Sequence, residues 1–228
     1  MNDRIVRKLS PILLVGGGDC RNCGLSEAMR TAQTVVAADG GAEAVLARGR
    51  IPDAVIGDMD SLSPQLAAQI PAERRHQIAE QDSTDFDKAL RSIAAPMIRA
   101  FGFTGKRLDH QLAVLSVLAR YPEQRVVLVG AEDVTILCPP RITVPLAPGT
   151  RVSLWPLAPV SGRSTGLRWP IDGIAMAPDG RVGTSNEALG PVTLDMAAPR
   201  MLLILPASCR EALETAAQDA PQWPARAE

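Results

Sequence analysis

Short apolar runs and amphipathic stretches alternate through the first 138 residues. ILLV at 12–15 is an unbroken apolar run that stops at Gly16-Gly17-Gly18, the pattern of a strand buried on both faces. Similar runs end at Asp39 (TVVAAD), cover 54–56 (AVI) ahead of Gly57-Asp58-Met59-Asp60, and recur at 97–101 and 126–130. Between them the spacing predicts helices over 25–32, over 42–49 with Gly49 closing it, from about 84 to 94, and from about 106 to 120. Such alternation implies a parallel sheet covered by helices on both faces. After Cys138 the pattern changes. Most of the 19 prolines lie from Pro139 onward, and helical periodicity returns only in the last 20 residues. Short candidate strands at 142–144, 151–155, 173–177, 191–195 and 201–205, separated by Pro and Gly turns, suggest an antiparallel sandwich or barrel. The chain therefore reads as α/β plus all-β. Residues 1–138 form the parallel-sheet domain and 139–228 the antiparallel one, with the junction marked by Pro139-Pro140 and Pro148-Gly149. The Pro- and Ala-rich tail from Ala220 reads as fraying.

Composition narrows the class without naming a function. The chain has 228 residues, 46% of them hydrophobic and 21% charged, the balance of a globular protein rather than a disordered one. A formal net charge of −1 offers no basic field for nucleic acid or anionic membrane. With 3% aromatic residues, stacking platforms for single strands are not expected either. No apolar run is long enough to span a bilayer, and the N-terminus mixes Asp3 with Arg4, Arg7 and Lys8 instead of a long apolar segment. Four cysteines, Cys20, Cys23, Cys138 and Cys209, are too few for a disulfide scaffold, so a reducing cytoplasmic setting is expected.

The residues capable of chemistry cluster in turns. Asp58 and Asp60, two apart in extended chain, project from one face and can converge on a hard cation, although Gly-Asp-x-Asp-Ser is also good turn chemistry. In DSTDFDKAL at 82–90, Thr84 is a natural N-cap and Asp87 completes a capping box. Capping leaves Asp82 and Asp85 unexplained, and carboxylates crowded at one helix start repel unless a cation joins them. In GFTGKRLDH at 102–110, glycines before a helix leave N–H groups free for phosphate, with Lys106 and Arg107 adding positive charge; a plain turn is the alternative. His110 can serve as a base or simply stand at a helix start. Asp39-Gly40-Gly41 opens another helix, where Asp39 can cap, bind metal through water or hold a ribose, and the glycines permit close approach of a ligand. Gly16-Gly17-Gly18 resembles a dinucleotide fingerprint only superficially, because Arg21 takes the place of the third glycine. Cys20 and Cys23 have redox or half-zinc spacing, but nothing completes a metal site and they read as ordinary loop thiols. Parallel topology brings the turns at Asp39, Asp58 and Gly102, each directly after an expected strand, to one sheet edge; the turn at Asp82 follows only the weak run HQIAE at 76–80 and is placed there by inference. Acidic residues, Lys/Arg and free helix starts gathered there describe a magnesium–phosphate site.

These segments together resemble the thiamine pyrophosphokinase family. DGGA at 39–42, GDMDS at 57–61, DSTDFDKAL at 82–90, GKRLDH at 105–110, GLRWP at 166–170 and TSNEALG at 184–190 match its motifs in order. The resemblance implies a Rossmann-like ATP-binding domain followed by a β-sandwich. It implies Mg²⁺-dependent transfer of pyrophosphate from ATP to thiamine, giving thiamine diphosphate and AMP. It also implies a homodimer whose acceptor site both domains build at the dimer interface. Carried over by motif, Asp58, Asp60 and Asp85 would hold the metal. Asp39, Gly40, Gly41, Thr84, Gly105 and Lys106 would line the nucleotide, and Asp82, Lys88, Arg107 and Asp109 the transfer step. Ser185 and Asn186 would contact thiamine. Two positions depart from the pattern: Lys106 stands where many members have a second glycine, and Gly183 precedes Thr184 where some have Ser at the first position of this loop. Alternatives are a diphosphokinase for another small alcohol such as a pterin, a metal-dependent phosphohydrolase, and a nucleotide-binding regulator without turnover.

Overall fold

The computed structural model describes residues 4–226. Residues 1–3 and 227–228, the outer ends of the two expected domains and of the expected tail, lie outside it. The chain forms two compact units, 4–117 with 128–131, and 118–127 with 132–226.

The first unit is built on parallel strands. Its elements are β1 (Val6–Arg7), β2 (Ile12–Val15), α1 (Leu25–Thr31), β3 (Thr34–Ala38), α2 (Gly41–Leu46), β4 (Ala54–Gly57), α3 (Pro64–Ala67), β5 (Arg75–Gln77), α4 (Asp85–Ser92), β6 (Ile93–Ala94), β7 (Ile98–Phe101), α5 (Leu108–Arg120) up to residue 117, and β8 (Val126–Val129) from residue 128. The sheet order is β5-β4-β3-β2-β7-β8. Pairing from β7 through β5 is parallel throughout. Strands β2, β3 and β4 are buried at every position, which explains why Thr34 is the one polar residue among them. Chain order runs outward in one direction from β2 to β5 and in the other from β7 to β8. The turnover point between β2 and β7 is where open α/β sheets form a ligand crevice.

Local chemistry sets the ends of the helix that serves the site. Thr84 starts α4, its Oγ1 accepting from the Asp87 N–H at 3.3 Å. The helix stops at Ser92, two residues before the expected end at 94. There the Arg4 guanidinium donates to the carbonyls of Leu90 and Ile93 at 3.1 and 2.5 Å, and Ile93–Ala94 pairs with Val6–Arg7. The weak run at 76–80 contributes the edge strand β5.

The second unit is mainly antiparallel: β9 (Asp133–Leu137), β10 (Arg141–Val144), β11 (Arg151–Pro156), β12 (Gly162–Leu167), β13 (Gly183–Met196) and β14 (Met201–Pro206), followed by α6 (Arg210–Asp219). Strand β13 joins its pairings. Residues near Gly183–Glu187 pair with β11, while Val192–Asp195 lies between β10 and β12. Strands β11, β14 and β9 continue in that order. Three expectations need correction. A cut after 138 separates β9 from this unit, yet β9 pairs with β14 along its whole length. The expected strand at 173–177 is a turn with a single bridge, Met176 to Val160, because Gly173 adopts φ +74° and the Ile174 N–H bonds back to Ile171. The tail is tied at 220–223: Arg125 donates to the Ala220 carbonyl at 2.6 Å, and the Trp223 indole N–H to the Cys138 carbonyl at 2.9 Å. Among the described residues no helix is long and apolar enough to cross a membrane.

Candidate active site

Four neighbouring strands of the first unit deliver their turns to one edge. Val15 and Phe101 are in register and lead into Gly16 and Gly102; Ala38 and Ile56 are in register and lead into Asp39 and Gly57-Asp58. A cleft of about 360 Å³ opens there. One wall is Gly16-Gly17-Gly18 laid against residues 102–104, with Gly18 N–H on the Gly102 carbonyl at 2.6 Å and Asp19 N–H on that of Thr104 at 3.2 Å. A Cβ at Gly16 or Gly18 would stand 2.6 or 2.4 Å from this partner segment, so the approach requires glycine. The Lys106 ammonium closes the wall, donating to the Gly17 carbonyl at 2.7 Å.

The opposite side is acidic. Oxygens of Asp39, Asp58 and Asp60 lie within 4.8 Å of one another. Asp39 is 1% exposed. One of its oxygens accepts from the Ser61 N–H at 3.3 Å, while the other is buried without a hydrogen-bond partner. Asp39 and Met59 hold φ of +39° and +69°, backbone strain that the turns tolerate next to the carboxylates they aim. The Asp58 carboxylate accepts from buried Lys88 Nζ at 2.9 Å, and that ammonium holds its carboxyl below the usual range. Lys88 also reaches Asp85 at 3.8 Å. Burial first, then repulsion from Asp39 and Asp58, raises Asp85 to about 6.

The expected residues separate into groups. Asp39, Gly40, Asp58, Thr84, Asp85, Lys106 and Arg107 line the cleft. Asp60 joins the acidic trio from its exposed turn, and Lys88 reaches it from beneath. Gly41 serves packing: a Cβ there would lie 2.0 Å from the Val15 carbonyl oxygen, so glycine lets α2 sit on β2. Gly105 makes a left-handed turn at φ +89°. Asp82 is exposed, and its N–H bonds to Glu80. Asp109 is exposed and binds the Arg107 guanidinium at 2.5 and 3.1 Å. The triple glycine, superficial as a dinucleotide fingerprint, lies in the cleft wall, as do His110 and three residues with no assigned role in the sequence, Ser61, Phe103 and Gln111. The signal for the triple glycine was its place directly after a buried strand.

The second unit carries a pocket of about 350 Å³ lined by Trp169, Ile174, Met176, Arg181 and Ser185, among others. Trp169 is 56% exposed, with the Arg168 guanidinium 5.3 Å from its ring centre. Asn186 is buried and holds the turn that carries Trp169. Its amide donates to the Trp169 carbonyl at 2.7 Å, and its oxygen accepts from the Trp169 N–H at 3.2 Å. Ser185 has φ +60° and its N–H bonds the Ser153 hydroxyl at 3.1 Å.

Residues 25–129 match the family model described as thiamin pyrophosphokinase, catalytic domain. Thiamine pyrophosphokinase 3 of Oryza sativa subsp. japonica is 30% identical over 193 residues, covering 68% of this chain and 71% of that protein. The chain belongs to the thiamine pyrophosphokinase family. Thiamine pyrophosphokinase 1 of the same plant is 30% identical over 154 residues, and the match covers 59% of this chain and 58% of that protein's length. The crystal structure of thiamin pyrophosphokinase from Geobacillus thermodenitrificans superposes with a TM-score of 0.70 at 26% identity, covering 86% of this chain and 96% of that one. The matched family segment contains the acidic trio, Asp85, Lys88, Lys106 and Arg107, while the triple glycine and the Trp169 pocket lie outside it.

Proposed function

We propose that this chain is a thiamine diphosphokinase, moving the pyrophosphoryl group of ATP to the hydroxyethyl oxygen of thiamine and releasing AMP. The observation that carries the reading is the meeting of Asp39, Asp58 and Asp60 at adjacent parallel strand ends beside a glycine-walled cleft with Lys106 and Arg107. The acidic trio fits a hard divalent cation, and the unpartnered buried oxygen of Asp39 is the kind of atom an ion would satisfy. Asp39, Asp58 and Asp60 would hold Mg²⁺, with Asp85 beside them. When bound, the ion neutralises polyphosphate charge and polarises the oxygens around the reacting phosphorus.

The protein's own residues do the rest. Lys88 is 1% exposed and committed to Asp58, so it fixes the carboxylate rather than reaching a phosphate. Arg107 is exposed and tethered by Asp109, free to turn into the cleft and stabilise the charge that builds on departing AMP. The glycine wall and Lys106 seat the phosphates by backbone approach and charge. A loose transition state asks little of a base, so positioning carries most of the acceleration. In this reading the first unit is the Rossmann-like ATP-binding domain and the second the β-sandwich for thiamine and dimerisation. The exposed Trp169 face, with Ile174 and Met176 near it, suits a flat cationic heteroaromatic, and Asn186 acts by holding Trp169 in place. A cytoplasmic homodimer belongs to the same proposal.

The test is incubation with ATP, Mg²⁺ and thiamine, with AMP and thiamine diphosphate quantified together. Equal amounts of the two products are expected. Inorganic phosphate released without an acceptor, or a pterin alcohol preferred to thiamine, would overturn the proposal. Light scattering of the purified chain tests the dimer.

A further inference from the structure

The proposed transfer makes no use of Cys20 and Cys23, yet both thiols sit directly behind the cleft wall. They are 7% and 6% exposed, while Arg21 and Asn22 between them face solvent. The Cys23 thiol reaches the Cys20 carbonyl at 3.4 Å, which brings the two cysteines together. On its other side Cys20 fills the space over Gly102: a Cβ built at Gly102 would stand 2.7 Å from its sulfur. Gly102 in turn accepts from Gly18, and Asp19, the neighbour of Cys20, donates to Thr104. Cys20 is thus a packing element of the glycine wall and the neighbour of a second buried thiol.

We infer that Cys20 and Cys23 form a dithiol–disulfide couple whose oxidation state controls the order of the glycine wall. A disulfide holds its sulfurs at about 2.05 Å, closer than any hydrogen-bonded thiol pair, so closing it draws the Cys20 sulfur from its seat on Gly102. Cys23, directly before the Gly24 N-cap of α1, is assigned as the attacking thiol. The Cys20 thiol holds it down to about 7, against its partial burial, and the Leu25 N–H and Arg48 assist; Cys20 is pushed up by the same partner and by burial. With a hydroperoxide as oxidant, the Cys23 thiolate attacks the peroxide oxygen, the O–O bond breaks, and hydroxide leaves and is protonated to water, giving a sulfenic acid. Cys20 sulfur then attacks Cys23 sulfur, the S–O bond breaks, and hydroxide leaves with the Cys20 proton as water. Two thiols are oxidised to one disulfide as one peroxide is reduced to two waters. A dithiol reductant reverses the link.

The full chain is treated with one equivalent of hydrogen peroxide, alkylated under denaturing conditions and mapped by mass spectrometry. The segment containing Cys20 and Cys23 should lose two hydrogens, regain them with dithiothreitol, and leave Cys138 and Cys209 alkylated. Amide exchange at 16–19 and 102–104 should quicken several-fold on oxidation of the wild type, and not in Cys20→Ser. Cys23 over-oxidised without a link to Cys20, or a link that leaves exchange unchanged, would overturn the inference. Oxidation should also weaken binding of a non-hydrolysable ATP analogue several-fold. That arm rests on the nucleotide reading above; failure of the reduced chain to bind the analogue counts against that reading, while mass and exchange still decide the couple.

Discussion

Asp85 carries an electrostatic penalty that one substitution can expose. Its side chain, 40% exposed, stands near Asp39 and Asp58, and its carboxyl is raised from 3.8 to about 6 by burial and then by their repulsion. A carboxyl so raised is disfavoured as an anion by about 3 kcal/mol at neutral pH. Solvent screening at so exposed a side chain reduces this to about 1–2 kcal/mol. Against that, Asp85 opens α4, where negative charge favours the helix by about 0.3–1 kcal/mol. Removal wins: Asp85→Asn should stabilise the metal-free protein by about 1 kcal/mol at pH 7. The folded carboxyl binds its proton more tightly than the unfolded one. Wild type therefore loses stability at this residue as pH rises from about 4 to about 6, and the variant does not. Urea titrations in EDTA should give nearly equal stabilities near the lower end of that window and the full gap at pH 7. Turnover should fall in the same variant, because the lost carboxylate faces the cleft. A variant less stable than wild type at pH 7, or a gap that ignores pH, refutes the electrostatic account.

The other substitutions separate ligand, wall, packing and acceptor roles. Asp60→Asn should cut AMP formation by about a hundredfold or more with an unchanged thermal midpoint, since Asp60 is exposed; near-normal turnover would remove it from the metal set. Lys106→Gly removes the 2.7 Å bond to Gly17 and one positive charge. It should raise the KM for ATP about tenfold while kcat changes little, and Lys106→Arg should recover part of the loss; an unchanged KM would make Lys106 ornamental. Gly41→Ala forces a methyl onto the Val15 carbonyl and should cost about 1–3 kcal/mol in chemical denaturation, through packing alone. Asn186→Ala strands the Trp169 backbone groups, at about 1–3 kcal/mol, and should raise the KM for thiamine while Trp fluorescence shifts; an unmoved KM would detach Asn186 from the acceptor pocket.

The central strands were legible because burial on both faces leaves them few or no polar positions, as at Ile12–Val15 and Val126–Val129, whereas the exposed edge strand at Arg75–Gln77 carries no apolar residue. In the second unit only part of the pattern could be read. β12 reads GRSTGL, with Arg163 and Thr165 turned outward, so little apolar signal marks it. β13 is interrupted in sequence by Gly190-Pro191, which made one long strand look like its last few residues. At 173–177 the reverse occurred. GIAMA has strand-like composition, but Gly173 takes a left-handed turn and Met176 finds only one bridging partner. Composition reports what a segment can bury; pairing depends on what lies beside it.

At the cleft the same distinction decides which residues could be foreseen. Asp58 and Asp60 were visible through their spacing in a turn after a strand. The inclusion of Asp39 in their group depends on parallel register, which puts Ala38 beside Ile56 and so brings two separate turns together. That register is a tertiary fact with no local sequence signature. It also divides the labour between two residues of α4: Lys88, fully buried, neutralises Asp58, while Asp85 is left raised and half-relieved at the rim. Asp39, Asp58, Asp60 and Asp85 gather here while the buried Lys88 ammonium pairs with Asp58 and Asp85 alone, which leaves excess negative charge in the metal-free cluster. Folding alone gains nothing from that surplus, whereas a divalent ion carrying polyphosphate would be drawn to it. The instability expected of Asp85 and the proposed affinity for a metal–nucleotide complex are consequently one electrostatic feature, measured without the ligand in the first case and with it in the second.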